Sequence, residues 1–185
     1  MAEIDFQHTV TGFSADAAKI AEQVFTVCTE KFGIDGNAVF QSFVRTGSFR
    51  TALGITDASI EALYSRAHQR FLIGQYRRAE EIFRSLCALD QSRVDFWLGL
   101  GICYRIRGED DAALRIFNQA AAIAPSNAIP HLHRFDIFMR REEWDAAAAA
   151  CALFEQMRDG AEHENIAKTF LKLKTALEMR QADVA

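Results

Sequence analysis

A pattern with a period of 34 residues runs through the middle of the chain and constrains its fold more than any other feature. Within residues 94–127, small and large side chains recur at set positions: Trp97, Leu100, Gly101, Tyr104, Ala113, Phe117, Ala120 and Pro125. One period earlier stand Leu63, Ala67, Gly74, Ala79 and Phe83, and one period later His131, Phe135, Glu142, Ala147 and Cys151. Such a period indicates stacked supersecondary units, each of which needs neighbours to bury its apolar faces.

The pattern in residues 94–127 fills every position of a tetratricopeptide (TPR) repeat, which is a pair of antiparallel helices. Gly101 and Ala113 are small, so the two helices can approach closely while the aromatic positions fill the space around them. We predict three repeats, in residues 60–93, 94–127 and 128–161. The third is degenerate, because Glu142 stands where the first two repeats have a turn glycine. Terminal repeats are commonly atypical.

The fold class that follows is all-α: an α-solenoid of three helix pairs with an amino-terminal helical region and a carboxy-terminal capping helix. The prolines are Pro125 and Pro130, both beside a repeat junction, so proline interrupts no predicted helix. Residues 1–59 form the amino-terminal region, with a role in packing or dimerisation. Residues 162–185 form the capping helix and tail, in which residues 164–179 carry an apolar stripe.

The amino-terminal region is predicted to contain a helix that begins after Ser14 and a short helix in residues 37–45. Thr56 is the expected N-cap of the first repeat helix, with Ser59 as a weaker alternative. The apolar face of the helix after Ser14 offers a candidate subunit contact, formed by Val24, Phe25 and Cys28. This region either packs back on its own repeats or pairs with its copy in a homodimer, and the sequence leaves both open.

Composition narrows the function classes. The formal net charge is −4 and no basic run occurs, so nucleic acid is not an expected partner. The apolar runs fall short of the roughly 20 residues that span a bilayer, and the first residues lack the features of a secretory signal. The cysteines Cys28, Cys87, Cys103 and Cys151 form no CxxC pair. Together these features predict a soluble protein of a reducing cytoplasm, without membrane insertion.

No arrangement of residues supports catalysis or a cofactor. His131 and His133 are two residues apart, so on a helix they point to different sides, and no nearby cysteine or acidic residue completes a metal site. Neither a nucleophile elbow nor a phosphate-binding loop is present in the sequence. We therefore expect a protein that is not an enzyme and has no cofactor and no metal.

The inner face of a TPR array is formed mainly by the first helix of each repeat, and stacked repeats make a groove that holds another polypeptide. The positions of this face predict a surface that is mixed but strongly apolar. The candidate peptide-binding residues are Tyr64, His68, Phe71, Leu72, Leu98, Ile102, Arg105, Ile106, Leu132, Asp136 and Met139. In an alternative interpretation, Tyr64 and Phe71 pack beneath the amino-terminal region and meet no ligand.

Several residues beyond the general repeat pattern resemble one family, the class II chaperones of bacterial type III secretion. The resemblance covers residues 39–158 and lies in Leu86-Cys87-x-Leu89-Asp90 and in Phe96-x-Leu98-Gly99-Leu100-Gly101. It implies a cytoplasmic bacterial protein that binds an extended segment of hydrophobic translocator proteins in the concave groove. Binding would prevent aggregation and premature interaction before export.

A second function class stays open. The chain is also compatible with a structural TPR adaptor that binds a folded partner in a secretion or pilus assembly. The two functions differ in what the groove receives, because a chaperone binds an extended apolar segment and an adaptor binds a partner that is soluble alone.

Overall fold

The structure, a computed structural model, describes residues 35–46, 49–158 and 164–182. Most of these residues lie in helices, and none of them lies in a strand. The helices are α1 (Gly36–Thr46), α2 (Phe49–Ala52), α3 (Asp57–Leu72), α4 (Tyr76–Leu89), α5 (Val94–Ile106), α6 (Asp110–Ile123), α7 (Ile129–Arg140), α8 (Trp144–Met157) and α9 (Glu164–Ala182). The all-α prediction is confirmed. The predicted helix after Ser14 lies outside the described residues.

The described residues divide into two compact units, one within residues 35–62 together with Ala88–Asp90, and the other within Leu63–Cys87 and residues 91–182. In the first unit α1 packs on α2. The predicted short helix in residues 37–45 is confirmed as α1. The backbone N–H of Ala38 donates to the Asp35 side chain at 3.2 Å, which caps the start of this helix.

The Thr56 N-cap of α3 is also confirmed. The backbone N–H of Ser59 donates to Thr56 Oγ1 at 3.2 Å, so Thr56 satisfies one of the free amides at the start of the helix. The first repeat helix therefore begins at Asp57, a little before the predicted repeat boundary at residue 60.

In the second unit, α5 with α6 and α7 with α8 form antiparallel pairs, and the ring of Tyr64 on α3 lies 6.2 Å from that of Phe83 on α4. The second helices begin at Tyr76, Asp110 and Trp144, which is the same position in each period. The three predicted helix pairs are therefore confirmed.

The turn inside each pair has the same backbone conformation. Gly74, Gly108 and Glu142 have φ values of 74°, 76° and 57°. In every case the next residue donates its N–H to a carbonyl five residues back, as from Glu109 to Tyr104 at 3.0 Å and from Glu143 to Phe138 at 3.0 Å. This is the left-handed helix ending that glycine adopts at little cost. The degenerate third repeat keeps the turn with a residue poorly suited to it.

Phenylalanine side chains fill the core of the repeats. Phe83, Phe96, Phe117, Phe135 and Phe154 are fully buried. Truncating such a side chain to alanine typically costs about 3–5 kcal/mol. The third-repeat core continues into α9, since the Phe154 and Phe170 rings lie 4.6 Å apart.

Two glycines of α5 make room for these rings. A Cβ atom added at Gly101 would lie 2.6 Å from the ring of Phe117, and one at Gly99 would lie 2.4 Å from the ring of Phe83. The predicted close approach at Gly101 is therefore confirmed. Gly99 does the same against the preceding repeat, a role that the repeat pattern does not demand.

Charged side chains join consecutive repeats. Between repeats one and two, the buried carboxylate of Glu80 on α4 accepts hydrogen bonds from Arg84 and from Arg107 at the end of α5. Between repeats two and three, Arg140 donates to Asp110 at 2.9 Å and Arg141 donates to Asp111 at 2.6 Å. Two adjacent arginines at the end of α7 thus meet two adjacent aspartates at the start of α6.

The predicted capping helix is confirmed as α9, which packs on α7 and α8. Its buried residues Phe170 and Leu177 join the core of the third repeat, with Ile166 and Leu173 packed beside them. These four residues are the apolar stripe that the sequence predicts.

Candidate functional site

An aromatic group lies on the amino-terminal side of the candidate inner face. The Tyr64 ring meets the His68 ring edge-on at 4.6 Å and lies 5.4 Å from the Phe96 ring. The guanidinium of Arg93 stands over Phe96 at 4.6 Å and over Tyr64 at 5.6 Å. Tyr64 is half-buried and His68 is exposed. The group presents a fixed aromatic edge and one exposed imidazole.

The end of α3 carries the most exposed apolar residues of the candidate site. Leu72 is 79% exposed, and its neighbour Ile73, which was not predicted as a site residue, is also exposed. Phe71 is half-buried, with its ring 5.3 Å from that of Tyr76. The Phe71 ring is therefore held in place by Tyr76 while part of it stays exposed, and most of the Leu72 side chain is accessible to a ligand.

The candidate residues of α5 divide into two kinds. Leu98 and Ile102 are half-buried and pack against the core formed by Phe117 and Ile137. Ile106, at the end of the helix, is 41% exposed. A charge at Leu98 or Ile102 would disturb packing as well as any ligand contact, whereas a change at Ile106 would act mainly on the surface.

The candidate residues of α7 are less open than the sequence suggests. Leu132 is only 4% exposed and belongs to the core of the third repeat, and Met139 packs against the same core. Asp136 is half-buried and accepts a hydrogen bond from Arg105 of α5 at 2.6 Å. Arg140 Nε lies 3.7 Å from the same carboxylate. Asp136 and Arg105 thus form an ion pair between first helices.

This ion pair lies beside a cavity of about 220 Å³ between α5, α7 and α9. The cavity is lined by Arg105, Leu132, His133, Asp136, Asn165, Ile166 and Thr169. The three residues from α9 were not predicted as site residues. Ile166 was assigned only to the capping stripe, and the polar residues Asn165 and Thr169 carry no periodic signal.

The histidines of α7 are neutral at physiological pH. Burial, and secondarily the nearby Arg105, lowers the pKa of His133 to about 3, and its ring stacks on Phe117 at 4.9 Å. Burial, followed by the charge of Arg134, also lowers the pKa of His131, whose Nδ1 lies 3.2 Å from Arg134 Nη1. Among the described residues no group of three or more metal-ligating side chains occurs.

The remaining predictions concern the cysteines, the candidate subunit contact and membrane insertion. Cys87, Cys103 and Cys151 are buried free thiols. Burial raises the pKa of Cys87 to about 12 and that of Cys103 to about 11. The candidate subunit contact, Val24, Phe25 and Cys28, lies outside the described residues. No helix of the described residues is long and apolar enough to cross a membrane.

The fold of this chain is similar to that of solved chaperones of bacterial type III secretion. SycD of Yersinia enterocolitica, in complex with a peptide of the translocator YopD, matches with a TM-score of 0.64 and 23% identity, over 69% of this chain and 98% of SycD. PcrH of Pseudomonas aeruginosa, in complex with the chaperone binding region of PopD, matches with a TM-score of 0.62 and 21% identity, over 71% and 98% of the two chains.

Sequence comparison agrees with this. Low calcium response locus protein H of Yersinia pestis is 24% identical over 143 residues, which cover 76% of this chain and 85% of the relative. No family model matches the chain. At these levels of identity the comparisons establish a shared fold.

Proposed function

We propose that this protein is a cytosolic chaperone of bacterial type III secretion that binds an extended segment of a hydrophobic translocator protein on its inner face. Binding keeps the translocator from aggregating and from interacting prematurely before export. The shared fold with SycD and PcrH supports this function, because those proteins were solved with segments of translocators bound. The role is binding, not catalysis.

The observation that carries the proposal is the uneven burial of the inner face. Leu72 and Ile106 end the first helices of repeats one and two and leave large apolar surfaces exposed. Phe71 and Tyr64 are half-buried and are held by aromatic neighbours. Each apolar side chain that a partner buries contributes about 1.5–3 kcal/mol before ordering costs, so a few such contacts hold a flexible segment.

Co-expression with each translocator of the native secretion system tests the proposal. We expect the translocator to stay soluble and to co-purify with the wild-type protein. Leu72→Lys and Ile106→Lys should each reduce the co-purified amount about tenfold or more, because a lysine removes an apolar contact at an exposed position. Leu171→Lys is the matched control, since Leu171 of α9 is 64% exposed but lies outside the candidate site.

Two outcomes would overturn the proposal. Equal co-purification by wild type and both inner-face variants would remove this surface from the mechanism. A captured partner that is folded and soluble without this protein would favour the adaptor function instead.

Pairing of two subunits through Val24, Phe25 and Cys28 is a further part of the proposal. Phe25→Asp should lower the mass measured by light scattering if this residue lies in a homodimer contact. An unchanged mass would assign the residue to contacts within one chain.

A further inference from the structure

Arg70, Arg77 and Arg78 form a basic turn between the two helices of the first repeat. Arg70, near the end of α3, and Arg78, in the first turn of α4, both donate to the side-chain oxygen of Gln75, at 2.9 and 3.3 Å. Two guanidinium groups thus meet at one oxygen that carries no charge. Because the two cations repel each other, a carboxylate oxygen at this point would be bound more strongly than the amide oxygen.

The depression beside the basic turn has an excess of positive charge. Its volume is about 520 Å³, and it is lined by Gly74, Gln75, Tyr76, Arg77, Arg78 and Glu81. Arg77, Arg78 and Glu81 are exposed, and Arg70 is half-buried. Within the described residues, none of the three arginines lies within ion-pair distance of a carboxylate, that of Glu81 included. The basic turn therefore keeps its charge.

The repeat pattern does not require these arginines. In the other two repeats the position of Arg70 is aromatic, that of Arg77 is acidic and that of Arg78 is alanine: Tyr104, Asp111 and Ala112, then Phe138, Asp145 and Ala146. The first repeat thus replaces an acidic turn by a basic one.

The charged turn of the second repeat shows how such a turn is neutralised within the array. Its two aspartates accept hydrogen bonds from Arg140 and Arg141 of the next repeat. One period earlier, the positions of those arginines hold Ile106 and Arg107, so the second repeat offers the basic turn no carboxylate there. In the described part of the chain the basic turn has no counter-charge, which leaves its arginines available to a partner.

The apolar neighbour of the basic turn favours a protein segment as that partner. Ile73, directly before the turn, is 63% exposed. An acidic protein segment offers a carboxylate to the arginines and an apolar side chain to Ile73, whereas nucleic acid or free phosphate would leave Ile73 in water. An anionic membrane is disfavoured, because the chain has a net charge of −4 and membrane-binding clusters typically contain about 4–8 basic residues.

We propose that the basic turn is a docking surface for an acidic segment of a partner protein. One carboxylate of that segment lies between Arg70 and Arg78, where it replaces the Gln75 oxygen, and an apolar side chain beside it covers Ile73. The inner-face residues that carry the proposed function are not part of this surface. The basic turn is therefore an additional binding surface, whichever partner occupies the inner face.

Two short peptides that differ only in charge test the inference on the whole protein. Acetyl-Glu-Glu-Leu-Glu-Glu-amide carries carboxylates on both sides of a leucine, and its analogue with glutamine in place of every glutamate carries none. In ¹H–¹⁵N correlation spectra at low salt, the acidic peptide should shift the backbone amides of Gln75, Arg77 and Arg78 in a saturable way. The glutamine analogue should leave them unchanged, and added salt should weaken the binding of the acidic peptide.

A nearly isosteric variant supplies the missing carboxylate from within the chain. Gln75→Glu should pair with both Arg70 and Arg78, keep the fold, and weaken binding of the acidic peptide about fivefold or more. Arg78→Glu should weaken it about tenfold or more. Lys172→Glu is the matched control, because Lys172 is exposed on α9 and its reversal changes the net charge equally; it should leave binding unchanged.

Several results would overturn the inference. They are no saturable shift with the acidic peptide, equal shifts with the glutamine analogue, full binding to Gln75→Glu, or an equal loss of binding in Lys172→Glu. Shifts of the same amides by phosphatidylserine vesicles, without any by the peptide, would assign the basic turn to a membrane instead. These readouts need no translocator, so they are independent of the test of the inner face.

Discussion

Glu142 adopts a backbone conformation that the first two repeats assign to glycine, and its replacement by glycine should stabilise the protein. Its φ of 57° lies in the left-handed region, like that of Gly74 and Gly108 at the same turn. A residue with a Cβ atom in this region costs about 1–2 kcal/mol, because Cβ approaches the following carbonyl. The Glu142 side chain is exposed, so its removal gives up little burial.

The expected gain is smaller than the full strain. Glycine loses more backbone freedom on folding than other residues, which returns about 0.4–1 kcal/mol. At the middle of these two ranges the net stabilisation by Glu142→Gly is about 0.8 kcal/mol. In a chain of this size 1 kcal/mol changes Tm by about 2–4 °C, so Tm should rise by about 1–4 °C.

Thermal unfolding followed by circular dichroism measures this shift, and Gly108→Ala is the matched control. Its Cβ atom would meet no atom within 4 Å, so the substitution adds backbone strain without a clash. Tm of Gly108→Ala should fall by a similar few degrees. A lower Tm for Glu142→Gly, or an unchanged Tm for Gly108→Ala, would refute the reasoning.

Four further predictions concern the core and the repeat junctions. Gly101→Ala should lower the free energy of unfolding in urea by about 1–3 kcal/mol, because its Cβ would lie 2.6 Å from the Phe117 ring; an unchanged midpoint would contradict this. Burial raises the pKa of Cys87 to about 12 and that of Cys103 to about 11, so neither thiol should react with DTNB at pH 8 until the protein unfolds. Rapid labelling of Cys87 or Cys103 in the folded protein would disprove this. For the same reason the free energy of unfolding should fall as the pH rises from about 9, the ordinary thiol value, towards 12, and a free energy that stays constant over this range would contradict the expectation. Glu80→Gln should cost about 1–3 kcal/mol in the same urea assay, since two arginines lose their buried carboxylate, and a stable variant would show that this junction contributes little.

Close helix contacts, helix caps and apolar stripes were predictable, because each depends on residues that are near one another in the sequence. Gly101 and Ala113 mark a close helix contact because larger side chains do not fit, and both are buried where expected. Thr56 caps α3 because a hydroxyl three residues before a free amide forms the contact locally. The stripe of α9 follows directly from its helical spacing.

The burial of a residue was not predictable where it depends on a helix from a distant part of the chain. Leu132 and Ile106 are both apolar residues of first helices, yet Leu132 is buried in a core shared with α9 while Ile106 is exposed. Nothing in either segment specifies where α9 will lie. Asn165 and Thr169 therefore became cavity residues only through the packing of helices that are distant in sequence.

The charged contacts between repeats differ in how far they fix the order of the array. Arg141 meets Asp111, but one period earlier the position of Asp111 is held by Arg77, so this ion pair is specific to the junction between repeats two and three. Glu80 meets Arg107, and one period later the position of Arg107 is held by Arg141, so this contact is compatible with either neighbour. The specific pair is solvent-exposed and contributes little stability, so it distinguishes one arrangement of repeats from another without deciding whether the array folds.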